Sequence, residues 1–285
     1  MAIPCTVQAG QYTIRGLSLG GIETCMQVPQ LGLLFDVGHC PRSLAATPRL
    51  FITHGHADHA GGLVGILSLR LVYSVEAPLE VYAPHWITDA LKDVVAAFER
   101  IQDQPYKVNF HPLGKGDVVP IGQGREVRCF ASPHVLPTLG YTVWERVQKL
   151  KPEFSHLAGP EIGARKKLGE PLFETTERPV LTFPGDTTIR LLDAQPHILE
   201  SRILLLETTY IDGRKTAQQC LDHGHVHLDQ VLERAADFRN EHLVFTHFSQ
   251  AYTPGEARAI VRDRTAGRFK PAIHALLPDA DTWPG

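Results

Sequence analysis

Three histidines and an aspartate crowd into "HGHADH", residues 54–59 of this 285-residue chain, directly after the apolar run "LFIT". Imidazole nitrogens and carboxylate oxygens at that density suit Zn²⁺, Mn²⁺ or Fe²⁺. Side chains alternate along an extended chain, so His54 and His56 can point the same way. Asp58 and His59 fall in the following turn, at a predicted helix start, and can face a second point nearby. One turn can therefore feed two adjacent cations. A single histidine is ordinarily a surface or core residue, but an HxHxDH hexapeptide is rare by chance.

Two cations need further ligands. His134 in "ASPHVLP", Asp186 in "TFPGDTT" and His247 in "VFTHFS" share one context: each ends a predicted strand and precedes a turn. Added to the hexapeptide they give His54, His56, His59, His134 and His247 with Asp58 and Asp186. That set suits a dinuclear site with one bridging carboxylate and water in the open positions. His85, His111, His156, His197 and His274 have no such context and are read as structural.

The elements that would position these residues follow from periodicity. Strands are predicted over 12–17, 24–28, 31–35 and 50–53, the last delivering the histidine turn. Residues 62–71 and 86–101 are apolar at helical spacing, with a strand over 78–84 between them. A β-rich stretch runs from 107 to 144. Residues 145–178 are polar and rich in both signs of charge, and read as an insertion or long loop. Strands return at 180–183, 203–207, 243–246 and 272–276. Helices are predicted over 226–239 and 254–264, the second with proline in its first turn. Strands in runs, then strands with helices, twice over, imply two β/α halves packed sheet on sheet in one αββα sandwich.

The bulk numbers fit a folded protein with a real core: 43% apolar residues and a formal net charge of −3. No global basic field advertises nucleic-acid binding, although a local patch can hide in that sum. Fifteen histidines is a high count. The five cysteines are scattered, odd in number and without a CxxC pair, which favours a reducing compartment over a disulfide framework. No signal-peptide pattern opens the chain and no apolar run approaches the ~20 residues of a membrane span. A cytoplasmic location is the expectation.

HxHxDH followed by single His, Asp and His at strand ends resembles the metallo-β-lactamase superfamily, whose fold is the αββα sandwich. Within it, "PHVLPTLGYTV", "FPGDTT", "LLLETTY", "HGHVHLDQV" and "LVFTHFSQAY" resemble tRNase Z, the endoribonuclease family that removes 3′ trailers from precursor tRNA. "GLSLGGIETC" and "DVGHCP" resemble its short plant-type form. The resemblance implies that His54, His56 and His134 hold one metal and Asp58, His59 and His247 the other, with Asp186 bridging. Zinc is the metal it implies. Glu207 and His225 match the acidic and histidine pair that relays a proton to the leaving group; His227, two residues on, is expected to point away.

The chemistry so implied is hydrolysis. Two cations about 3.5–4 Å apart activate a water between them, and the resulting hydroxide attacks phosphorus in line. Asp58 would orient it and accept its proton, and His225 would protonate the leaving ribose 3′-oxygen. Ser249 either contacts phosphate or caps the following turn. Arg165, Lys166 and Lys167 either touch RNA backbone or form a solvated face. Two departures stand out. Ala251 replaces an expected arginine in "HFSQAY", and the RNA-gripping arm of many relatives is expected to be reduced to 145–178. These departures and the acidic charge favour an alternative substrate, a small phosphodiester such as a cyclic nucleotide, or an ester or lactone. A non-enzymatic relative would be expected to have lost ligands. The resemblance also implies a homodimer.

Overall fold

Apolar and polar residues alternate along "YTIRGLSLG", so one face of that strand is driven inward. The computed structural model describes residues 5–283 and places this strand in an eight-stranded sheet. Its members in spatial order are β1 (Cys5–Ala9), β2 (Tyr12–Gly20), β3 (Glu23–Val28), β4 (Leu33–Phe35), β5 (Arg49–Phe51), β6 (Leu79–Pro84) and β7 (Val108–Leu113). Strands β1 to β4 pair antiparallel, and β4 to β7 pair parallel. The second sheet has seven strands. They are β8 (Val118–Gly122), β9 (Arg125–Ser132), β10 (Thr138–Leu150), β11 (Phe173–Phe183), β12 (Ile203–Glu207), β13 (His242–Thr246) and β15 (Ala272–Ala275). The eighth member of the first sheet, β14 (Phe248–Ser249), follows β13 and pairs parallel with β2. The chain thus changes sheets at His247.

Helices lie around the two sheets. They are α1 (Ala57–Ala60), α2 (Leu63–Val72), α3 (His85–Gln102), α4 (Gly159–Lys167), α5 (Leu191–Ala194), α6 (Ala217–Asp222), α7 (Leu228–Glu233) and α8 (Pro254–Thr265). One apolar cluster lies between the sheets, another between the first sheet and α2 with α3, and a third between the second sheet and α7 with α8. That is the expected αββα layering. Among the described residues, no helix is long and apolar enough to cross a membrane.

The layer between the sheets also fixes the site. Phe35 and Phe51 from the first sheet meet Tyr141 and Phe183 from the second, with ring centroids 5.1 Å apart for Phe51–Tyr141 and 5.2 Å for Phe35–Phe183. Each such buried side chain contributes roughly 1.5–3 kcal/mol. The Tyr141 hydroxyl donates to the Ile52 carbonyl at 2.5 Å, and the Leu139 N–H donates to Thr53 O at 3.0 Å. The second sheet therefore grips the backbone just before His54.

Two sequence expectations need correction. Residues 145–178 are not a long loop: β10 and β11 stay paired out to Leu150↔Phe173, and a short 3₁₀ turn and α4 close the tip. The segment looked polar because its stability comes from charges paired across strands. Glu145 accepts from Arg125 and Arg178 at 2.8 and 2.9 Å, and Glu177 pairs with Arg128 and Arg146. The helix expected over 226–239 is only α7. His227 is extended and caps it, accepting the Asp229 N–H, so Val226 lies outside. After Glu233 the bonds shorten to i→i+3 turns, from Arg234 to Val231 and from Asp237 to Arg234.

Candidate metal centre and active site

Five of the seven candidate ligands follow the end of a strand, Asp58 and His59 lie in α1 at the end of the same turn as His54, and these strand ends converge. β5 leads into His54, β9 into His134, β11 into Asp186 and β13 into His247. The hexapeptide turn is docked from below: Gly38 lies against it so closely that a Cβ there would fall 2.0 Å from Asp58 O. His247 takes the left-handed conformation, φ 59°, as does Asp36 at φ 56°. For a non-glycine this costs on the order of 1–2 kcal/mol, which the surrounding packing has to hold.

The ligating atoms form two clusters. His54, His56, His134 and Asp186 make one; Asp58, His59, Asp186 and His247 make the other. In the first, His54 Nε2 lies 2.9 Å from His56 Nδ1 and 3.9 Å from Asp186 Oδ2, and His134 Nε2 is also 3.9 Å from Asp186 Oδ2. In the second, Asp186 Oδ1 lies 3.2 Å from His59 Nε2 and 3.3 Å from His247 Nε2. Asp58 Oδ2 is 3.4 and 3.5 Å from the same two nitrogens. The two oxygens of Asp186 therefore face different clusters.

The hydrogen bonds behind the imidazoles assign their tautomers. Nδ1 of His54 donates to Thr53 Oγ1 at 3.0 Å, and Nδ1 of His59 donates to Asp36 Oδ2 at 2.7 Å. Nδ1 of His134 donates to Gly224 O at 2.8 Å, and Nδ1 of His247 donates to Thr209 Oγ1 at 3.0 Å. Each ring is left with its Nε2 lone pair aimed at a carboxylate oxygen or another lone pair. Among the described residues, Nε2 of His59 and of His247 is buried without a hydrogen-bond partner. Converging lone pairs and anionic oxygens repel unless a cation lies between them. Nitrogen and oxygen ligands at about 2.0–2.1 Å from Zn²⁺ in a tetrahedron are about 3.3 Å apart, close to the spacing of the second cluster. The donor set suits divalent metal ions.

The ionisation directions express the same crowding. Burial opposes the charge on Asp58, but the facing imidazoles of His247 and His59 outweigh it and hold the carboxyl well below its usual range. Burial pulls His59 down, and the Asp186 and Asp36 carboxylates outweigh it, so it is raised. Burial, and then the neighbouring His59, push His54 down to about 2, so that ring is neutral.

One ring from this centre lies the other pair expected from sequence. His225 Nδ1 donates to Glu207 Oε1 at 2.9 Å, and the ring stacks on His247 with centroids 5.2 Å apart. Glu207, His225 and His247 could also be grouped as a ligand set. However, buried Glu207 already accepts from Thr187 N, Thr209 N and Thr209 Oγ1 as well as His225, which makes it an anchor and not a ligand. Burial lowers the His225 pKa, but the Glu207 charge and hydrogen bond win and raise it to about 9. His227 points elsewhere, bonded to Asp212 O at 2.9 Å.

The remaining candidates separate. Ser249 accepts the Ala251 N–H at 3.2 Å, capping its turn, and also lines a cavity beside His225. Arg165, Lys166 and Lys167 lie at the tip of the β10–β11 ribbon and are not brought to the centre. From Leu139, beside the centre, to Leu150 the strand runs roughly 35 Å. Arg165 pairs with Glu161 at 2.8 Å, and Lys166 lies 5.3 Å over the Phe173 ring. Sequence reasoning missed the groups that orient the ligands: Asp36, Thr53, Thr209 and the Gly224 carbonyl. The aspartate opening "DVGHCP" at a strand end was the available signal for Asp36. Of the histidines left as structural, His111 pairs with Glu80, His197 bonds Thr142 and His274 bonds His242.

Comparison with known proteins agrees with the geometry. A model described as the beta-lactamase superfamily domain matches residues 36–248. The chloroplastic tRNase Z of Arabidopsis thaliana is 34% identical over 257 residues, spanning 90% of this chain and 72% of that protein. A second tRNase Z of the same plant is 31% identical over 252 residues, 88% of this chain and 90% of the relative. The crystal structure of the short form of human tRNase Z superposes with a TM-score of 0.56 at 20% identity, covering 99% of this chain and 95% of that one. At that identity the superposition speaks for the fold. With ligand clusters, fold and relatives in agreement, this chain belongs to the beta-lactamase superfamily and, within it, to the tRNase Z family.

Proposed function

We propose that this protein is a metal-dependent endoribonuclease that removes 3′ trailers from precursor tRNA, working with two zinc ions. One observation carries the reading beyond a general metallohydrolase: half-buried His225 bonds buried Glu207 at 2.9 Å and stacks on His247 at the rim of the second cluster. His54, His56 and His134 would hold one ion, Asp58, His59 and His247 the other, and Asp186 both. Bound there, the ions would activate a water and neutralise charge on the phosphoryl oxygens. Asp58, steadied by the Gly21 N–H at 2.9 Å, would orient the attacking water and accept its proton. His225, oriented by Glu207, hands a proton to the leaving 3′-oxygen. Arg165, Lys166 and Lys167, far from the centre, would meet RNA backbone distant from the cut, of substrate bound to the same chain or to a second copy in a homodimer. Five free, buried cysteines support action in a reducing compartment, the cytoplasm in our reading.

The test is cleavage by the zinc-loaded protein of a precursor tRNA carrying a 3′ trailer, beside bis(p-nitrophenyl) phosphate. Wild type is expected to release the trailer. His59→Ala should lose both activities and part of the bound metal. His225→Ala should keep its metal and slow trailer release by about 10²–10⁴-fold. Hydrolysis of the small ester alone would move the assignment to a small-phosphodiester hydrolase, the reading that Ala251 favours.

A further inference from the structure

Beside His225 the surface sinks into a cavity of about 240 Å³. His225, His247 and Ser249 form one side; Tyr210, Lys215 and Gln219 come from the segment after β12. It is smaller than the roughly 300–1,000 Å³ of most small-molecule pockets, so it takes one nucleotide unit and not a run of them. Among the described residues, no aspartate or glutamate lines it. Its walls are amide, hydroxyl, aromatic and imidazole groups with a single ammonium.

That ammonium is uncommitted. Among the described residues Lys215, half-buried, has no hydrogen-bond or ion-pair partner. Its neighbour Arg214 shows the contrast. Arg214 donates to Ala251 O at 2.9 Å, pairs with Glu256 at 2.8 Å and lies 4.3 Å over the Tyr252 ring. The nearby carboxylates are equally occupied: Asp212 accepts from the Tyr252 hydroxyl and the Arg214 N–H, and Glu207 is saturated. A half-buried cation facing a cavity without carboxylates gains most from an anion. An aromatic wall with amide groups suits the base or sugar attached to it.

We propose that this cavity is a nucleotide subsite in which Lys215 binds a backbone phosphate of the substrate. The assignment of strand direction rests on the proposed function. His225, the donor to the leaving 3′-oxygen, stands at the junction of cavity and metal centre, so the cavity holds the nucleotide whose 3′-oxygen leaves. Lys215 then contacts the 5′ phosphate of that nucleotide. Lys215 is a binding residue, and its loss acts on KM.

The experiment has two arms on the zinc-loaded full chain. Calorimetric titration with adenosine 5′-monophosphate is compared with titration with adenosine, for wild type, Lys215→Ala, Lys215→Arg and the remote control Lys92→Ala. Losing one charge-assisted phosphate contact should weaken nucleotide binding about tenfold in Lys215→Ala. Adenosine should bind both proteins alike, and Lys215→Arg should recover most of the loss. In the second arm, Lys215→Ala should raise KM for precursor tRNA with little change in kcat, and lower the salt slope by about one. Unchanged nucleotide affinity in Lys215→Ala overturns the subsite, as does an equal loss for adenosine. If wild type leaves precursor tRNA uncut while nucleotide binding still depends on Lys215, the proposed function fails and the phosphate subsite stands.

Discussion

Behind His59 stands Asp36, buried, its carboxylate accepting from His59 Nδ1 at 2.7 Å, from Thr53 N at 2.7 Å and from the Thr53 hydroxyl. It touches no reacting atom, yet it fixes which nitrogen of His59 carries the lone pair. Asp36→Asn keeps the shape and tolerates the left-handed backbone, since asparagine adopts positive φ more readily than most residues. It replaces an acceptor pair with an amide that can donate. Zinc affinity, read by competition with a chromophoric chelator, should fall by about 10–100-fold. Unaltered affinity would show that His59 is oriented by other means. At this scale the legibility of the sequence was uneven. "HGHADH" advertised itself by density, and the later candidate ligands by their place at strand ends. Thr53 and Thr209 did not, because a lone hydroxyl after a strand carries no signature until the fold sets an imidazole against it, and Asp36 offered only its place at a strand end.

The turn carrying "HGHADH" is an element of its own, four helical residues clamped between β5 and α2, and its height is set by Gly38. The Gly38 N–H donates to Thr24 O at 2.9 Å, and the Gly62 N–H donates to Val37 O at 2.7 Å, so this backbone is fastened on both sides. A methyl group at Gly38 would have to push Asp58 outward, because the atoms it meets are backbone. Gly38→Ala should cost about 1–3 kcal/mol by denaturant unfolding and bind less zinc, since Asp58 and His59 move together. A stable variant with full metal content would mean the turn yields elsewhere. Elements with one apolar face were readable: β2, α3 and α8 sit close to where periodicity put them. The β10–β11 ribbon was not, because paired Arg and Glu stand where an apolar stripe would have signalled strands. The end of α7 was also hidden, since Val226 and Phe238 are apolar at helical spacing yet lie outside the helix.

For the molecule as a whole, the proposed metal centre is where the two sheets are tied together. His54, His56, Asp58 and His59 follow a strand of the first sheet. His134, Asp186 and His247 follow strands of the second, and after His247 the chain crosses over to pair with β2. The αββα layering could be anticipated from the order of strands and helices. This crossing could not, because β14 is two residues long and its register depends on a left-handed His247. Ions bound across the junction add their binding free energy to the stability of both halves at once. With free zinc at about a hundred times the Kd of each of two sites the gain is about 5.4 kcal/mol, worth on the order of 10–20 °C in Tm. Stripping the protein with a chelator should therefore lower Tm by that amount in one cooperative step, and returning zinc should restore it. Two separated transitions after stripping would place the metals within one half, and an unmoved Tm would mean that no ion links the sheets. His247→Ala should mimic part of the chelator effect and respond less to added zinc, because it removes a proposed ligand at the point where the chain changes sheets.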